Sequence, residues 1–380
     1  MNALAVGLMF FAILALAVHL VSALLAVRGV RARLRQVVPS GLPPITLLRP
    51  VCGLDRFDAE TLASSFLLNY PQYEVIFCAA RADDAAVALV GRLIAANPTV
   101  NARLLIGDER SSRNPKLNNL AKGWRDARHA HVCMADSNLL LPPDYLREVV
   151  AAWDERTGLV SSPPVGIWPD GMAARLECAF LNGNQARIQL AADTLGLGFA
   201  QGKTLFWRRD LLDRAGGFAA LGRNMAEDVA ATKMVRSLGL KVRLTPVPFF
   251  QPIGRRRLAD VWARQVRWSV VRRDGFPALF MLEPLNGAVL PTVALTAGLL
   301  LAGLTPFWLL SWLVIWYGTE VILARVNGWP VAVSDVVALP LRDLMIQAVW
   351  LFTLRRSGFE WRGTPMSQII AAPGEGGTRD

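Results

Sequence analysis

The sequence is poor in the residues from which disulfide frameworks, zinc sites and nucleophile–histidine pairs are built. Its four cysteines, Cys52, Cys78, Cys133 and Cys178, are scattered and show no C-x-x-C spacing. Such single cysteines argue against a zinc site or a disulfide framework and suit a reducing compartment. Only three histidines are present, and none of them pairs with a cysteine or serine in a recognisable nucleophile arrangement.

Charged residues are missing from residues 4–27, an apolar run of 24 positions broken only by His19 and Ser22. As a helix this run would reach about 36 Å at about 1.5 Å per residue, enough to cross a hydrocarbon layer of about 30 Å. The alternative is a cleaved signal peptide, but no basic residue precedes the run, and arginines follow it at positions 28, 31, 33 and 35. Those flanks and the length of the run favour an uncleaved anchor over residues 1–27.

The arginines that follow the anchor also predict its direction. Basic residues beside a membrane segment favour the cytoplasmic side. The N-terminus should therefore point outward, and the chain after Arg28 should lie in the cytoplasm. We predict an integral protein of the bacterial inner membrane whose largest domain faces the cytoplasm.

A second apolar zone lies near the C-terminus. Residues 284–319 contain no charged side chain over 36 positions, which predicts either two spans with a turn near residues 305–306 or one span plus a re-entrant segment. Residues 336–354 are also apolar but carry Arg342 and Asp343. A full third crossing would put the two arginines that follow on the outside, against the positive-inside tendency, whereas a re-entrant or interfacial segment would not.

The net charge of +11 raises the question of a nucleic-acid partner. The arginines cluster beside the apolar zones, at residues 28–35 and 255–273, with no RNA- or DNA-binding motif between them. We therefore expect an anionic lipid surface as the partner of these arginines and no nucleic acid. No obligate protein partner is evident in the sequence.

Between the membrane zones, short apolar runs alternate with helix-like stretches, which is the pattern of an α/β sheet. The strands are expected at residues 45–48, 74–79, 103–106, 132–135 and 241–245. The helices are expected at residues 58–68, 83–96, 118–128 and 143–156. The chain thus divides into an anchor (1–27), an α/β domain (43–254), a basic and aromatic interfacial segment (255–283) and C-terminal transmembrane or re-entrant helices (284–360).

Acidic residues stand near the ends of two expected strands. Asp83 and Asp84 come after the second strand, and Asp136 follows the fourth, where Asn138 completes a degenerate D-x-D. The carboxyl ends of strands form the ligand crevice of open α/β sheets, so these acids are candidates for a shared site. The alternative for each is structural, as the cap of a helix or of the turn before the prolines at 142 and 143.

Two further elements suit the transfer of a sugar from a nucleotide diphosphate. The leaving diphosphate needs a divalent cation on oxygen ligands or a fixed positive charge, and an attacking hydroxyl needs a base. Asp228 precedes a helix-like stretch and could be that base, or a favourable first-turn charge. Arg264 and Arg267 share one face of a predicted helix, where they could bind phosphate or rest on a membrane surface.

Together these residues resemble a known signature. Asp84, Asp136 and Asp228, with a pentapeptide counted from Gln265 as its first member to Arg267 and Trp268 as its last two, are similar to the D, D, D, (Q/R)xxRW signature of GT-A glycosyltransferases. Longer strings resemble ceramide glucosyltransferases, at residues 48–55, 69–75, 114–120, 213–218 and 226–229. The resemblance covers roughly residues 43–285. It implies a GT-A-like nucleotide-sugar-binding α/β domain with an N-terminal transmembrane helix and a C-terminal membrane-associated helical region.

The resemblance also implies a reaction. An inverting transfer would move a sugar, with glucose expected, from a UDP-sugar to the primary hydroxyl of ceramide, giving a β-glycosylceramide. A divalent cation, Mg²⁺ or Mn²⁺, would assist at the diphosphate. The competing hypotheses are a glycosyltransferase acting on a hopanoid, diacylglycerol or polyprenyl phosphate, and a non-catalytic membrane-bound protein that binds nucleotide or lipid.

On the donor side, the resemblance implies contacts with the nucleotide, its cation and its diphosphate, the last shared with Arg267 of the pentapeptide. Asp84 would contact the uridine nucleotide, with Asp83 as the adjacent alternative. Asp136 would bind the cation on the diphosphate. Lys116 and Asn118 would be further contacts of the donor.

On the acceptor side, the resemblance implies that Asp228 deprotonates the acceptor hydroxyl. Gln265, Arg267 and Trp268 would close over the diphosphate and shape the acceptor region. A phosphate-loop ATPase is excluded, although residues 198–204 end in Gly-Lys-Thr. The motif G-x-x-x-x-G-K-[ST] requires its first glycine at position 197, which is Leu197.

Overall fold

The computed structural model describes residues 2–34, 41–110, 112–356, 358–361 and 364–366. Arg35, the last of the arginines predicted to flank the anchor, lies outside the described residues. The strands are β1 Ile45–Val51, β2 Tyr73–Ala79, β3 Asn101–Ile106, β4 His131–Ala135, β5 Thr157–Ser161, β6 Pro164–Asp170, β7 Thr204–Arg208, β8 Lys241–Leu244, β9 Phe249–Arg255, β10 Phe359–Trp361 and β11 Thr364–Met366.

The helices alternate with these strands and then continue beyond them. They are α1 Ala3–Arg33, α2 Asp58–Ala63, α3 Ala85–Ala96, α4 Pro115–Asp126, α5 Tyr145–Ala151, α6 Met172–Ala179, α7 Arg187–Thr194, α8 Arg209–Arg214, α9 Gly217–Leu221, α10 Glu227–Ser237, α11 Leu258–Gly275, α12 Pro277–Met281, α13 Val289–Leu301, α14 Leu309–Val326, α15 Val333–Val336 and α16 Ala338–Leu354. A π-helical segment, Phe180–Ala186, joins α6 to α7 without a break.

A seven-stranded mixed sheet forms the centre of the α/β domain, in the order β3-β2-β1-β4-β7-β5-β8. Strand β7 is antiparallel to both of its neighbours, and the remaining pairs are parallel. All five strands predicted from the sequence are present. They could be recognised because parallel strands covered by helices on both faces read as continuous apolar runs.

Side chains of the sheet alternate between two hydrophobic clusters. Leu47 and Phe77 point to the cluster under α2, α3 and α5, whereas Leu48 and Ile76 point to the cluster under α4, α8 and α10. All four side chains are fully buried. The period of two along each strand therefore fixes its register and brings the carboxyl ends of β1, β2 and β4 to one edge.

Helix boundaries differ from the predicted ones where polar side chains bond to the backbone. Asp84 caps α3 by accepting from the Ala86 N–H, so this helix starts at Ala85. The helix predicted at 118–128 starts at Pro115, because Asn114 caps it and proline suits the first helical position. The helix predicted at 143–156 covers only Tyr145–Ala151, since Asp154 forms a turn closed by hydrogen bonds with Thr157. The helix predicted at 58–68 ends at Ala63 and continues as one 3₁₀ turn.

Among the described residues, three helical stretches are long and apolar enough to cross a membrane: Ala3–Arg33, Pro306–Val326 and Val333–Leu354. The protein is therefore membrane-associated. The uncharged stretch 284–319 contains α13 and most of α14, joined through a turn near residues 302–308. Helix α13, with 13 residues, is too short for a full span, and the choice between the two predicted arrangements stays a prediction. Helix α13 packs closely on α1, because Gly298 lies against Ala5 and Met9.

The charges of α16 have a structural explanation. Arg342 is fully buried and contacts Glu320 of α14 at 2.7 Å and Asp343 at 2.7 Å. The Tyr317 hydroxyl donates to the second carboxylate oxygen of Asp343 at 3.1 Å. This network pairs charges that would otherwise be costly in an apolar helix bundle.

Both ends of the α15–α16 segment are held by the domain that carries the sheet. At the start, Asp335 forms an ion pair with Arg175 of α6. At the end, Arg273 of α11 donates to the carbonyl of Thr353 at 2.6 Å. These contacts with α6 and α11 suit an interfacial position for residues 336–354, and the choice between that position and a third crossing stays a prediction.

Removing the Arg342 guanidinium should destabilise the helix bundle. Arg342→Met leaves two buried carboxylates without their cation, and breaking a buried ion pair from one side costs about 3–5 kcal/mol. We expect a lower thermal unfolding midpoint in detergent. Arg325→Met, the same substitution at an exposed position in the last turn of α14, is the matched control. An equal drop in both variants would contradict the structural role given to Arg342.

Candidate active site

The carboxyl edge of the sheet gathers ionisable groups from four separate parts of the chain. Asp136 directly follows β4, and its N–H donates to the carbonyl of Lys203, which directly precedes β7. Because β7 is antiparallel to β4, the start of β7 lies where β4 ends. Lys116 comes from the first turn of α4, and Asp228 from the first turn of α10.

Asp136 is neutralised by two lysines, one on each carboxylate oxygen. Lys116 Nζ lies 2.6 Å from Oδ1, and Lys203 Nζ lies 3.1 Å from Oδ2. Burial would raise the pKa of Asp136, but the two ammonium groups lower it to about 2. Asp136 is therefore ionised at every physiological pH. The turn-capping alternative considered for Asp136 leaves these two contacts unexplained.

Lys116 joins Asp136 to the start of α10. Its Nζ also lies 2.8 Å from Glu227 Oε1 and donates to the Gly202 carbonyl at 2.6 Å. Burial would lower the pKa of Lys116, but the carboxylates of Asp136 and Glu227 raise it. The lysine side chain is 11% exposed, so this positive charge is held in place rather than solvated.

Asp228 sits beside this lysine with a different electrostatic environment. The N–H groups of Gly202 and Val229 donate to its two oxygens, at 3.1 and 2.8 Å. Burial and the neighbouring Glu227 carboxylate raise the pKa of Asp228 to about 6, against the lowering effect of Lys116. A carboxylate with a pKa near 6 is poised to accept a proton near neutral pH.

Asp84 and Asp83 occupy different environments at the same edge of the sheet. Both oxygens of Asp84 accept from the Gly53 N–H, at 2.9 Å, so Asp84 ties the loop after β1 to the start of α3. Asp83 is exposed and pairs with Arg81 at 2.5 Å. Strand β1 lies between β2 and β4, which separates these acids from Asp136 by one strand. Asp84 is the better placed of the two for a donor contact.

Asn118 is engaged in local structure. Its side-chain oxygen accepts from the N–H and the hydroxyl of Ser112, both at 2.9 Å, and its amide donates to the Ser112 carbonyl at 2.9 Å. The side chain is buried. Asn118 therefore shapes the loop before α4, which carries the cap residue Asn114, and its role as a donor contact stays a prediction.

Helix α11 carries the pentapeptide predicted to close over the donor. Arg264 forms an ion pair with the buried Glu177 of α6. Gln265 is 2% exposed, and its amide nitrogen has no hydrogen-bond partner among the described residues. Trp268 packs beside Cys178, and Arg267 lies near enough to Lys203 to lower the pKa of that lysine.

Counting along this pentapeptide changes one assignment. The first position of (Q/R)xxRW is three residues before Arg267, which is Arg264 and not Gln265. The geometry gives Arg264 an anchoring contact with Glu177, whereas Gln265 is packed inside the helix interface. The signature is therefore complete in residues 264–268, with Arg264 in the place that the sequence analysis gave to Gln265.

The sequence model of glycosyl transferase family 21 matches residues 7–369, nearly the whole chain. The chain belongs to this family. Family 21 membership agrees with the resemblance drawn from the acids and the (Q/R)xxRW pentapeptide, and that prediction is confirmed.

Two relatives of this family 21 chain, from different organisms, are named as ceramide glucosyltransferases. Ceramide glucosyltransferase 1 of Caenorhabditis elegans is 28% identical over 263 residues, 69% of this chain and 55% of the relative. Ceramide glucosyltransferase of Komagataella phaffii is 26% identical over 311 residues, 67% of this chain and 61% of the relative. The chain spans little more than half the length of the curated relatives it matches.

A solved structure shows the fold. The mannosyltransferase PcManGT of Pyrobaculum calidifontis, determined in complex with GDP-Man and Mn²⁺, is similar with a TM-score of 0.51 at 19% identity. The similarity covers 92% of this chain and 99% of that one. The GT-A-like mixed α/β fold with apolar helices at both ends of the chain, predicted from the sequence, is confirmed.

Sequence analysis of this family 21 chain missed three residues of the cluster. Lys203 lies in the Gly-Lys-Thr string that was considered only as a phosphate loop, and its position just before a strand next to Asp136 was the overlooked signal. Glu227 was quoted beside Asp228 but given no role, although it holds Lys116. Glu177 lies among apolar residues of α6, which also carries Arg175, and no feature of the sequence indicated that Arg264 would be its partner.

Proposed function

We propose that this family 21 chain is an inverting glycosyltransferase that moves a sugar from a UDP-sugar to a hydroxyl of a membrane lipid. Glucose and the primary hydroxyl of ceramide are the expected pair, because the relatives are named ceramide glucosyltransferases. The observation that carries this proposal is the Asp228 carboxylate, with its raised pKa, beside the Lys116–Asp136 ion pair. Asp228 suits the role of a catalytic base, and the Lys116–Asp136 pair suits the binding of a diphosphate.

The donor half of the cluster supplies positive charge. Negative charge develops on the diphosphate as the bond to the anomeric carbon breaks, and fixed cations stabilise it. Lys116 and Lys203 meet at Asp136, and Arg267 lies close to Lys203. These three side chains would hold the diphosphate at the edge of the sheet, with Asp84 on the side of the uridine.

The acceptor half supplies the base. Asp228 would accept the proton of the lipid hydroxyl as that oxygen attacks the anomeric carbon from the face opposite the diphosphate. Direct displacement of this kind turns an α-linked donor into a β-glycoside. The Gly202 peptide group connects the two halves, because its N–H donates to Asp228 while its carbonyl accepts from Lys116.

The residues at Asp136 fit one divalent cation. A carboxylate oxygen of Asp136 and the amide oxygen of Asn138 already converge on a single cation, the Lys203 ammonium, at 3.1 and 2.9 Å. Within the described residues no group of three or more His, Cys, Asp or Glu side chains could hold a metal. Mg²⁺ and Mn²⁺ sites of this type take one or two protein ligands and complete the shell with phosphate oxygens. When bound, the ion would neutralise charge on the leaving diphosphate.

A cavity next to the (Q/R)xxRW helix suits a lipid acceptor. It has a volume of about 420 Å³ and lies between α6 with its π-helical extension and α14, lined among others by Cys178, Asn182 and Ala324. Ala324 belongs to the same hydrophobic cluster as Ala26 and Val30 of α1, so the cavity lies at the level of the last turns of the anchor. Cys178 also packs against Trp268, which puts one helix between cavity and donor site.

The basic residues after the anchor support the proposed orientation. Arg28 and Arg31 are exposed, as expected for side chains that face anionic lipid headgroups, while Arg33 is buried against Asp193 at 2.6 Å. We infer that the sheet domain lies on the cytoplasmic side. The bacterial inner membrane stays a prediction.

Replacing the base should stop turnover without preventing donor binding. Asp228→Asn keeps the size of the side chain and one of its two acceptor oxygens but cannot take up a proton. We expect product formation to fall about 10²–10⁴-fold, while UDP affinity changes little. Mass spectrometry of lipids after incubation with UDP-sugars and ceramide measures the first, and calorimetric titration with UDP the second. Unchanged turnover would sink the assignment of Asp228 as the base.

The same incubations distinguish the competing hypotheses. If the product were a glycosylated hopanoid, diacylglycerol or polyprenyl phosphate instead of glycosylceramide, the chain would still be a glycosyltransferase, but with a different acceptor. No product from any UDP-sugar, with UDP bound, would support the non-catalytic hypothesis and overturn the proposed function.

Activity should rise with pH through the pKa of Asp228. Because the base must be ionised, kcat/KM should be half-maximal near pH 6 and level above it, following the pKa of about 6 in the free protein. Glu227→Gln removes a negative charge that raises this pKa, so its profile should shift to lower pH. A profile that stays in place in Glu227→Gln would contradict the pairing of these two acids.

Filling the cavity should weaken acceptor binding selectively. Val321→Trp places an indole in the cavity that Val321 lines. We expect KM for the lipid to rise about tenfold, equivalent to about 1.4 kcal/mol, with the dissociation constant for UDP unchanged. Val293→Trp, on an exposed position of α13, is the matched control. Equal KM values in the two variants would remove the cavity from the acceptor path.

A further inference from the structure

We propose that Lys203 is a built-in cation of the donor site, and that its ammonium group competes with a divalent cation for the oxygens of Asp136 and Asn138. The inference rests on the proposed function in that it assumes a nucleoside diphosphate binds at this edge of the sheet. It adds a residue with a defined role to that site.

The geometry places the Lys203 ammonium where a metal ion would lie. Nζ is 3.1 Å from Asp136 Oδ2 and 2.9 Å from Asn138 Oδ1. These are the two oxygens of the degenerate D-x-D, and carboxylate and amide oxygens are the ligands that hard cations prefer. An ammonium and a divalent cation cannot both occupy the space between them, since the two charges would repel at contact distance.

The backbone fixes Lys203 in this position. Its carbonyl accepts from the Asp136 N–H at 3.1 Å, and its own N–H donates to the side-chain oxygen of Gln201 at 3.1 Å. Thr204, the next residue, begins β7 in register with Ala135 at the end of β4. The side chain is 14% exposed. The lysine is therefore presented to Asp136 by the sheet itself rather than by a mobile loop end.

Of the two lysines on Asp136, Lys203 is the one able to leave. Lys116 has a second carboxylate, Glu227, at 2.8 Å, so it stays paired when Asp136 is taken by another cation. Within the part of the chain that the structure describes, the Lys203 ammonium contacts the neutral amide oxygen of Asn138 besides Asp136 and has no second carboxylate as its partner. A nearby diphosphate would give the displaced ammonium a new partner, where it adds positive charge at the leaving group.

The two roles proposed for Lys203 predict opposite changes in affinity when its charge is removed, for Mn²⁺ in one case and for metal-free UDP in the other. Lys203→Gln removes the ammonium but keeps a side chain that can hydrogen-bond to Asn138. Mn²⁺ should then bind more tightly, about tenfold if the wild-type ammonium leaves the two oxygens for a tenth of the time. UDP in the absence of metal should bind more weakly, because one phosphate-neutralising cation is lost. If Lys203 only stabilised the local structure, Lys203→Gln would weaken the binding of Mn²⁺ and of UDP alike.

The experiment uses the full chain in detergent and needs no turnover. Free Mn²⁺ is counted by electron paramagnetic resonance during titration in the presence of UDP, and metal-free UDP binding is measured by calorimetry. Lys233→Gln, on an exposed position of α10, is the matched control, and Lys203→Arg should retain the wild-type pattern because it keeps the charge. Comparable thermal midpoints establish that the variants are folded.

Tighter Mn²⁺ binding together with weaker metal-free UDP binding in Lys203→Gln alone supports the proposal. Mn²⁺ affinity that is unchanged or reduced in that variant overturns it. Should Lys203→Gln unfold, Lys203→Arg and Lys203→Met are compared instead, and equal Mn²⁺ affinities in these two overturn it as well. If the wild-type protein formed no glycolipid from any UDP-sugar, the proposed function would be refuted. The Mn²⁺ and UDP affinities would still test the role of Lys203, because they do not depend on turnover.

Discussion

The candidate site depends on Asn114, because this single side chain sets the positions of two helices relative to Asp136. Its oxygen caps α4 by accepting from the N–H groups of Lys116 and Leu117, at 2.9 and 3.2 Å. Its amide donates to Glu227 at the start of α10, at 2.8 Å. The side chain is fully buried, so the loss of either bond would leave a polar group without a partner. Lys116 and Asp228 thus keep a fixed relation to each other and to the sheet.

A second constraint ties this site to the membrane helices. Ion pairs and hydrogen bonds from arginines connect the two parts: Arg33 of the anchor to Asp193 of α7, Arg175 of α6 to Asp335, and Arg273 of α11 to the Thr353 carbonyl. Each joins the domain of the sheet to an apolar helix near a helix end. Because α6 and α11 also carry Glu177 and Arg264, the same helices that hold the membrane segments shape the acceptor side of the site.

The strands and the acids at their ends could be predicted from the sequence, because buried parallel strands are continuous apolar runs and Asp136 directly follows one. The pairing of Arg342 with Glu320 could not, since the partners are 22 residues apart on different helices and only tertiary packing shows that they meet. The start of α4 was predicted three residues late, although Asn-Pro is a recognisable cap and first-turn pair. Lys203 was missed for a different reason. The Gly-Lys-Thr string was compared only with the phosphate-loop motif, and that comparison does not show that the pairing of β4 with β7 brings Asp136 beside Lys203.

The charge balance of the cluster explains why a degenerate D-x-D is consistent with donor binding. Asp136 and Glu227 carry two negative charges, and Lys116 and Lys203 carry two positive ones, so the cluster is self-neutralised without a ligand. A second aspartate at position 138 would add a negative charge that only an extra cation could balance. Asn138 provides an oxygen ligand at this position without adding a negative charge. Lys203 can then turn towards a diphosphate while Lys116 stays paired with Glu227, and Asp228 is left as the carboxylate whose raised pKa fits it to accept a proton.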